Sequence, residues 1–181
     1  MSTIYLDNAA TTALDPEVIS VMSQSMHQDY GNPSSSHSFG RSSRSVIETS
    51  RRTIAHLLNA DPSEIFFTSS GTEADNMAIR GAVRDAGVKH IVTSKIEHPA
   101  VLNTVTHLLK KKKVKVDYVD VNDLGEIDLD HLIKILSNNK NILVSLMHGN
   151  NEIGNLLNLQ KVSKICQKFG ALLHSDTVQT I

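Results

Sequence analysis

From residue 65 to residue 175 the sequence alternates short apolar runs of strand length with longer stretches whose apolar residues recur at helical spacing. The runs at 65–68, 90–94, 114–119, 142–147 and 171–175 read as strands, and 71–84, 99–112, 129–136 and 159–169 read as helices. A parallel neighbour strand can be reached only by a crossover of a dozen residues or so, and helices of this length supply it. The expected fold class is therefore α/β, a mostly parallel central sheet with helices on both faces.

The stretch before residue 61 is built differently. Residues 4–6 are a short apolar start, and Asp7-Asn8-Ala9-Ala10-Thr11-Thr12 is a polar, small-residue loop that fits neither period. Asp15 caps a helix with Pro16 at its first position, running to about Met26. Gly31-Asn32-Pro33-Ser34-Ser35-Ser36-His37-Ser38 favours turns over any regular element. An amphipathic helix over 39–58 follows, with Arg41, Arg44, Arg51 and Arg52 expected on its surface. The organisation expected is an N-terminal segment with helices packing on the core, 1–60, and the first part of a cofactor-binding α/β domain, 61–181.

Composition limits the function. With 181 residues and 40% hydrophobic content, the chain can bury a sizeable core. A formal net charge of -1 gives it no electrostatic footprint for nucleic acid. Lys110-Lys111-Lys112-Lys113 and Lys115 fall at the end of a predicted helix, where cations suit the dipole and the solvent. The single cysteine, Cys166, excludes an internal disulfide, and nothing at the N-terminus resembles a signal peptide or a membrane span, so a cytoplasmic protein is expected.

The unusual polar residues cluster after the apolar runs. Ser70-Gly71-Thr72 follows the first, Glu97-His98 the second, His148-Gly149-Asn150-Asn151-Glu152 the fourth, and His174-Ser175-Asp176 closes the fifth. The carboxyl ends of parallel strands share one edge, and ligands bind in the crevice outside it. Ser70 and Glu73 have capping-box spacing, which starts a helix there and leaves its first amides and its dipole facing an anion. Together the loops offer a phosphate cradle, an imidazole, a pair of amides and a carboxylate, the parts that a pyridoxal phosphate site needs. Asp176 is the candidate partner of the ring nitrogen: opposite charges about 4 Å apart interact by roughly 4 kcal/mol at an effective dielectric of about 20. His98, before Pro99, is presented from a strand-to-helix loop, where it can stack on a planar cofactor and shuttle protons near neutral pH.

His148 and His174 each end an apolar strand, a position that suits a site residue or a hydrogen-bonded core histidine. His98, His148, His174 and Asp176 also form a conceivable zinc-type ligand set. Their spacing matches no metal motif, and that reading leaves Ser70-Gly71-Thr72 and Asn150-Asn151 without a role.

The residues named so far, with Tyr5-Leu6-Asp7-Asn8-Ala9-Ala10-Thr11-Thr12, Gly31-Asn32-Pro33-Ser34-Ser35, Phe67-Thr68-Ser69-Ser70-Gly71-Thr72-Glu73-Ala74-Asp75-Asn76, Asn150-Asn151-Glu152-Ile153-Gly154 and His174-Ser175-Asp176-Thr177-Val178-Gln179, resemble the pyridoxal-phosphate-dependent cysteine desulfurases. These belong to the fold type I, class V aminotransferase group. The resemblance spans essentially the whole chain and implies the incomplete large domain of a fold type I enzyme. It implies that Gly71 and Thr72 hold the cofactor phosphate, that His98 stacks on the ring as a catalytic residue, and that Asp176 binds the ring nitrogen. Asn151 and Gln179 would contact the ring hydroxyl side, with Asn151 also near the substrate carboxylate. Members convert L-cysteine to L-alanine, pass the sulfur as a persulfide to iron-sulfur cluster assembly or tRNA thiolation through an acceptor protein, and form homodimers.

The resemblance also shows what residues 1–181 do not supply. The family's cofactor-anchoring lysine, its sulfur-accepting cysteine, its substrate-binding arginine and its smaller domain all match positions beyond Gln179. Cys166 falls in a helical pattern with Val162, Ile165 and Phe169 and reads as a structural thiol. The expectation is the N-terminal portion of a longer desulfurase, inactive alone. A selenocysteine lyase or other fold type I enzyme is the near alternative, and a non-catalytic partner or assembly half-domain the distant one.

Overall fold

The structure is a computed structural model and describes residues 3–181. The chain forms two compact units, residues 1–67 and 68–181. In the first unit, α1 (Pro16–Gln28) starts where the Asp15 carboxylate accepts the Glu17 amide at 2.8 Å, with Pro16 at its first position. The second helix, α2 (Ser38–Leu58), ends at Asn59 in the left-handed conformation. The serine-rich loop before it folds tightly onto its first turn: a Cβ at Gly40 would lie 2.4 Å from the Ser35 carbonyl oxygen, so only glycine fits. Arg51 departs from expectation. Its guanidinium bonds the Ile65 carbonyl, lies 5.0 Å from the centre of the Phe67 ring and pairs with Glu48, so the arginine is largely covered. An arginine stem covers apolar surface while its head finds acceptors, which polarity along a helix cannot reveal.

The second unit holds a four-stranded parallel sheet in the order β2-β1-β3-β4. Its elements in chain order are α3 (Gly71–Arg84), β1 (His90–Thr93), α4 (Pro99–Lys110), β2 (Lys115–Tyr118), α5 (Leu129–Ser137), β3 (Ile142–Ser145), α6 (Leu159–Phe169) and β4 (Leu172–His174). The central strands β1 and β3 are buried along their whole length, which explains why they read as continuous apolar runs rather than as alternation. Successive side chains nevertheless go to opposite faces. Ile91 and Leu143 join Ile79, Val101 and Val105 of α3 and α4, whereas Val92 and Val144 join Leu132, Val162 and Cys166 of α5 and α6. Each fully buried Val, Leu or Ile in these two cores contributes about 1.5–3 kcal/mol relative to exposure.

Residues 65–68 correct the expected strand set. The backbone at Ile65 is extended, but the segment joins no sheet, and Phe66 and Phe67 are exposed. A strand exists only through a ladder partner, and among the described residues none is offered to it. The sheet order places a topological switch between β1 and β3, with β2 lying to one side and β4 to the other. The crevice of such a fold opens outside the carboxyl ends of those two strands.

Candidate functional site

The start of α3 is capped as its spacing predicts on one side only. Ser70 Oγ accepts the Glu73 amide at 3.3 Å. Glu73 does not return to the Ser70 amide; it accepts both the Ser69 hydroxyl and the Ser69 amide at 2.7 Å. Ser69 offers two donors where the cap residue offers one, and those bonds, the hydroxyl first, hold the Glu73 carboxyl below its ordinary range. The Gly71 and Thr72 amides meet no protein acceptor among the described residues, as an anion cradle requires. A Cβ at Gly71 would lie 2.6 Å from Val178 Cγ2, so glycine here admits the turn after β4 beside the cradle.

The loop leaving β1 carries Glu97 and His98. Glu97 is a buried carboxyl, 5% exposed, that accepts the Ser94 hydroxyl at 2.6 Å and, across the switch point, the Met147 amide at 2.9 Å. Burial pushes its pKa up to about 7; the Asp176 charge adds to this, and the two hydrogen bonds and His174 oppose it. His98 caps α4, its Nδ1 accepting the Ala100 amide at 3.1 Å. That bond assigns the proton of the neutral ring to Nε2.

In the loop leaving β3, Asn150 is structural. Its amide donates to the Ile96 carbonyl at 2.8 Å, and its Oδ1 accepts the Glu152 and Ile153 amides. Asn151, the next residue, is left to face the cavity. After β4, Asp176 is 8% exposed, and one of its oxygens accepts the Val178 amide at 3.0 Å.

Six positions singled out in the sequence, Gly71, Thr72, His98, Asn151, Asp176 and Gln179, line one cavity of about 190 Å³. His148 and His174 are not among them. The His148 Nδ1 pairs with the Thr180 hydroxyl at 2.9 Å, and the residue lines a second cavity of about 590 Å³ with Glu97, Asn150 and Lys161. The larger cavity contains none of the six. The smaller one is the candidate site because backbone amide donors and carboxylate acceptors converge on it. His98, His148, His174 and Asp176 do not come together as a ligand set: among the described residues no three His, Cys, Asp or Glu side chains are grouped to hold a metal.

Sequence reasoning missed Asp75. It lines the same cavity, is 5% exposed, approaches His174 Nε2 at 3.4 Å through one oxygen, and has no partner for the other. The helical period carried the signal, since Asp75 lies four residues before the fully buried Ile79 and so shares its inward face. Cys166, read in the sequence as a half-buried structural thiol, is fully buried, and burial raises its thiol pKa to about 11.

The donor set tests which ligand fits. Free helix amides at one end call for an anion, while Asp176 and the orphaned Asp75 oxygen call for a group bearing a proton on nitrogen or oxygen. Pyridoxal phosphate meets both demands, with its phosphate at one end and its ring nitrogen at the other.

A parallel α/β sheet with an anion cradle and a carboxylate on one strand-end cavity is the architecture of a fold type I enzyme domain. The chain belongs to the class V aminotransferase family, whose profile matches residues 4–181. Among its relatives, a cysteine desulfurase of Trichormus azollae is 46% identical over the whole of this chain, which spans 45% of that protein. Cysteine desulfurase IscS of Dictyoglomus turgidum is 46% identical over 98% of this chain and 45% of its own length. Of solved structures, a NifS-like protein superposes with a TM-score of 0.92 at 38% identity, covering 98% of this chain and 50% of the other. A second, SspA in complex with cysteine, has a TM-score of 0.90 at 30% identity over 98% and 51%. The chain thus spans about half the length of the relatives it matches.

Proposed function

We propose that this chain supplies the cofactor pocket of a pyridoxal-phosphate-dependent cysteine desulfurase. The observation that carries the reading is the convergence of Gly71, Thr72, His98, Asn151, Asp176 and Gln179, which lie in separate sequence motifs, on one cavity. The relatives, cysteine desulfurases along the whole of this chain, support it.

When bound, pyridoxal phosphate supplies a protonated ring that takes up negative charge from the carbon beside the substrate nitrogen. Gly71 and Thr72 amides take the phosphate at the helix terminus. The Asp176 carboxylate keeps the proton on the ring nitrogen. His98, with Nδ1 engaged by the Ala100 amide, has Nε2 as the atom that holds or passes a proton. Asn151 and Gln179 hold the ring hydroxyl side, Asn151 also serving the substrate carboxylate.

The reaction consumes L-cysteine and an enzyme thiol and yields L-alanine and a persulfide: the carbon–sulfur bond breaks, a sulfur–sulfur bond forms, and the thiol proton balances the carbon. Cys166, in the core, is not that thiol. A homodimer, an acceptor protein for the sulfur and a cytoplasmic location complete the proposal and rest on the resemblance. The test is to supply the natural protein with L-cysteine and cofactor and measure alanine and persulfide. One-for-one formation is expected, and formation of neither product rejects the reading.

A further inference from the structure

The cavity has two recognition ends carried by different elements, and among the described residues a polar contact between Asp75 and His174 joins those elements. The anion cradle is the start of α3, and Asp75 lies one turn further along that helix. The ring-nitrogen carboxylate, Asp176, lies two residues beyond His174 at the end of β4. His174 pairs in register with Ser145 of β3, and its Nδ1 is 2.9 Å from the Ser145 hydroxyl, so the ring is anchored on the sheet. Its Nε2 reaches Asp75 Oδ1 at 3.4 Å. Otherwise α3 packs mainly on α4, through Ile79 against Val101 and Val105. Ser145 is fully buried, so this Ser–His–Asp row has no access to a substrate and no nucleophilic role.

We infer that the Asp75–His174 contact sets the spacing between the anion cradle and Asp176, and that both are positioning residues for a ligand that spans the two. The inference rests on the pyridoxal phosphate reading above. A ligand that engages both ends binds well only when their separation is held, because the alignment is then not bought back from binding energy. A ligand that engages one end does not sense the separation. Asp75 is buried on the inward face of α3, with one oxygen on His174 and the other without a protein partner among the described residues; His174, which does not line the cavity, separates the positioning role from direct contact with the ligand.

The test uses the natural protein and pyridoxine 5′-phosphate, which keeps the phosphate and ring nitrogen but lacks the aldehyde, so that no lysine linkage enters the measurement. Inorganic phosphate serves as the one-ended probe, by competition. Asp75→Ala and His174→Leu are expected to bind pyridoxine 5′-phosphate about tenfold more weakly while inorganic phosphate stays within about twofold. Asp75→Asn, which retains an oxygen opposite His174 Nε2, is expected to restore most of the loss. Equal losses for both probes, or no loss for either, overturns the inference. If the unsubstituted protein fails to bind pyridoxine 5′-phosphate, the cofactor reading itself falls and this inference with it.

Discussion

The buried carboxyl of Glu97 accepts the backbone amide of Met147 at 2.9 Å and so joins the loop leaving β1 to the loop leaving β3. Those loops carry His98 and Asn151, and Asn150 adds a second bond between them through the Ile96 carbonyl. The side chain that fastens the mouth of the switch point is thus an acid held near neutrality by burial.

This makes stability depend on pH. Glu97 ordinarily titrates near 4.5 and in the fold near 7, so the fold favours its protonated form. The contribution is fully present below pH 4.5 and is lost as pH rises through 7, by about 3 kcal/mol in all. Glu97→Gln keeps two polar groups for Met147 and Ser94 and does not titrate. Denaturation curves from pH 4 to 8, without added cofactor, are expected to show the unsubstituted protein losing stability relative to the variant across that window. Parallel curves would refute it.

Asp176→Asn retains an oxygen for the Val178 amide and removes the charge. The thermal midpoint is expected to stay within a few degrees. Cysteine turnover by the natural protein is expected to fall at least about a hundredfold, since the pairing given up is worth roughly 4 kcal/mol before desolvation. An unchanged rate would remove Asp176 from the site.

Cys166 lies in the core formed by α5, α6 and the sheet, and its thiol ionises only near pH 11. Alkylation at pH 8 is expected to leave the Cys166 peptide unmodified until denaturant is added. Cys166→Ala is expected to cost about 1–2 kcal/mol of stability and leave sulfur transfer intact. Rapid native labelling at this position, read by mass spectrometry, would contradict the assignment.

Among the described residues no lysine lines the cavity. A polypeptide of residues 1–181 alone is therefore expected to release no alanine or sulfide from cysteine, because covalent attachment of the cofactor needs an amine there. Turnover by that polypeptide, assayed with cofactor added, would show that the chemistry runs without one.

Much of this was legible in the sequence, and unevenly. Helices α3 and α6 followed from apolar residues at helical spacing, and the start of α3 from Ser70 acting on an amide three residues away; the Asn158 and Gly170 caps of α6 were seen only in the structure. Residues 65–68 have the composition of a strand but no ladder, a matter that local composition cannot settle. The larger cavity beside Glu97 had no sequence signal, since its walls come from two turns, near 125 and 155, and from α6.

By itself the sequence determined the alternation of strands and helices and the small-residue turn at Gly71 that opens α3, because periodicity, capping and turn chemistry act over a few positions; Asn151 and Gln179 were named as site residues by the family resemblance and not by their local pattern. Only the tertiary structure decided that Glu97 would meet Met147 and that Asp75 would meet His174. Those pairs depend on strand order and register, set when two apolar faces of one sheet are buried together, and the pairing of distant polar groups follows from that packing rather than from their own neighbours.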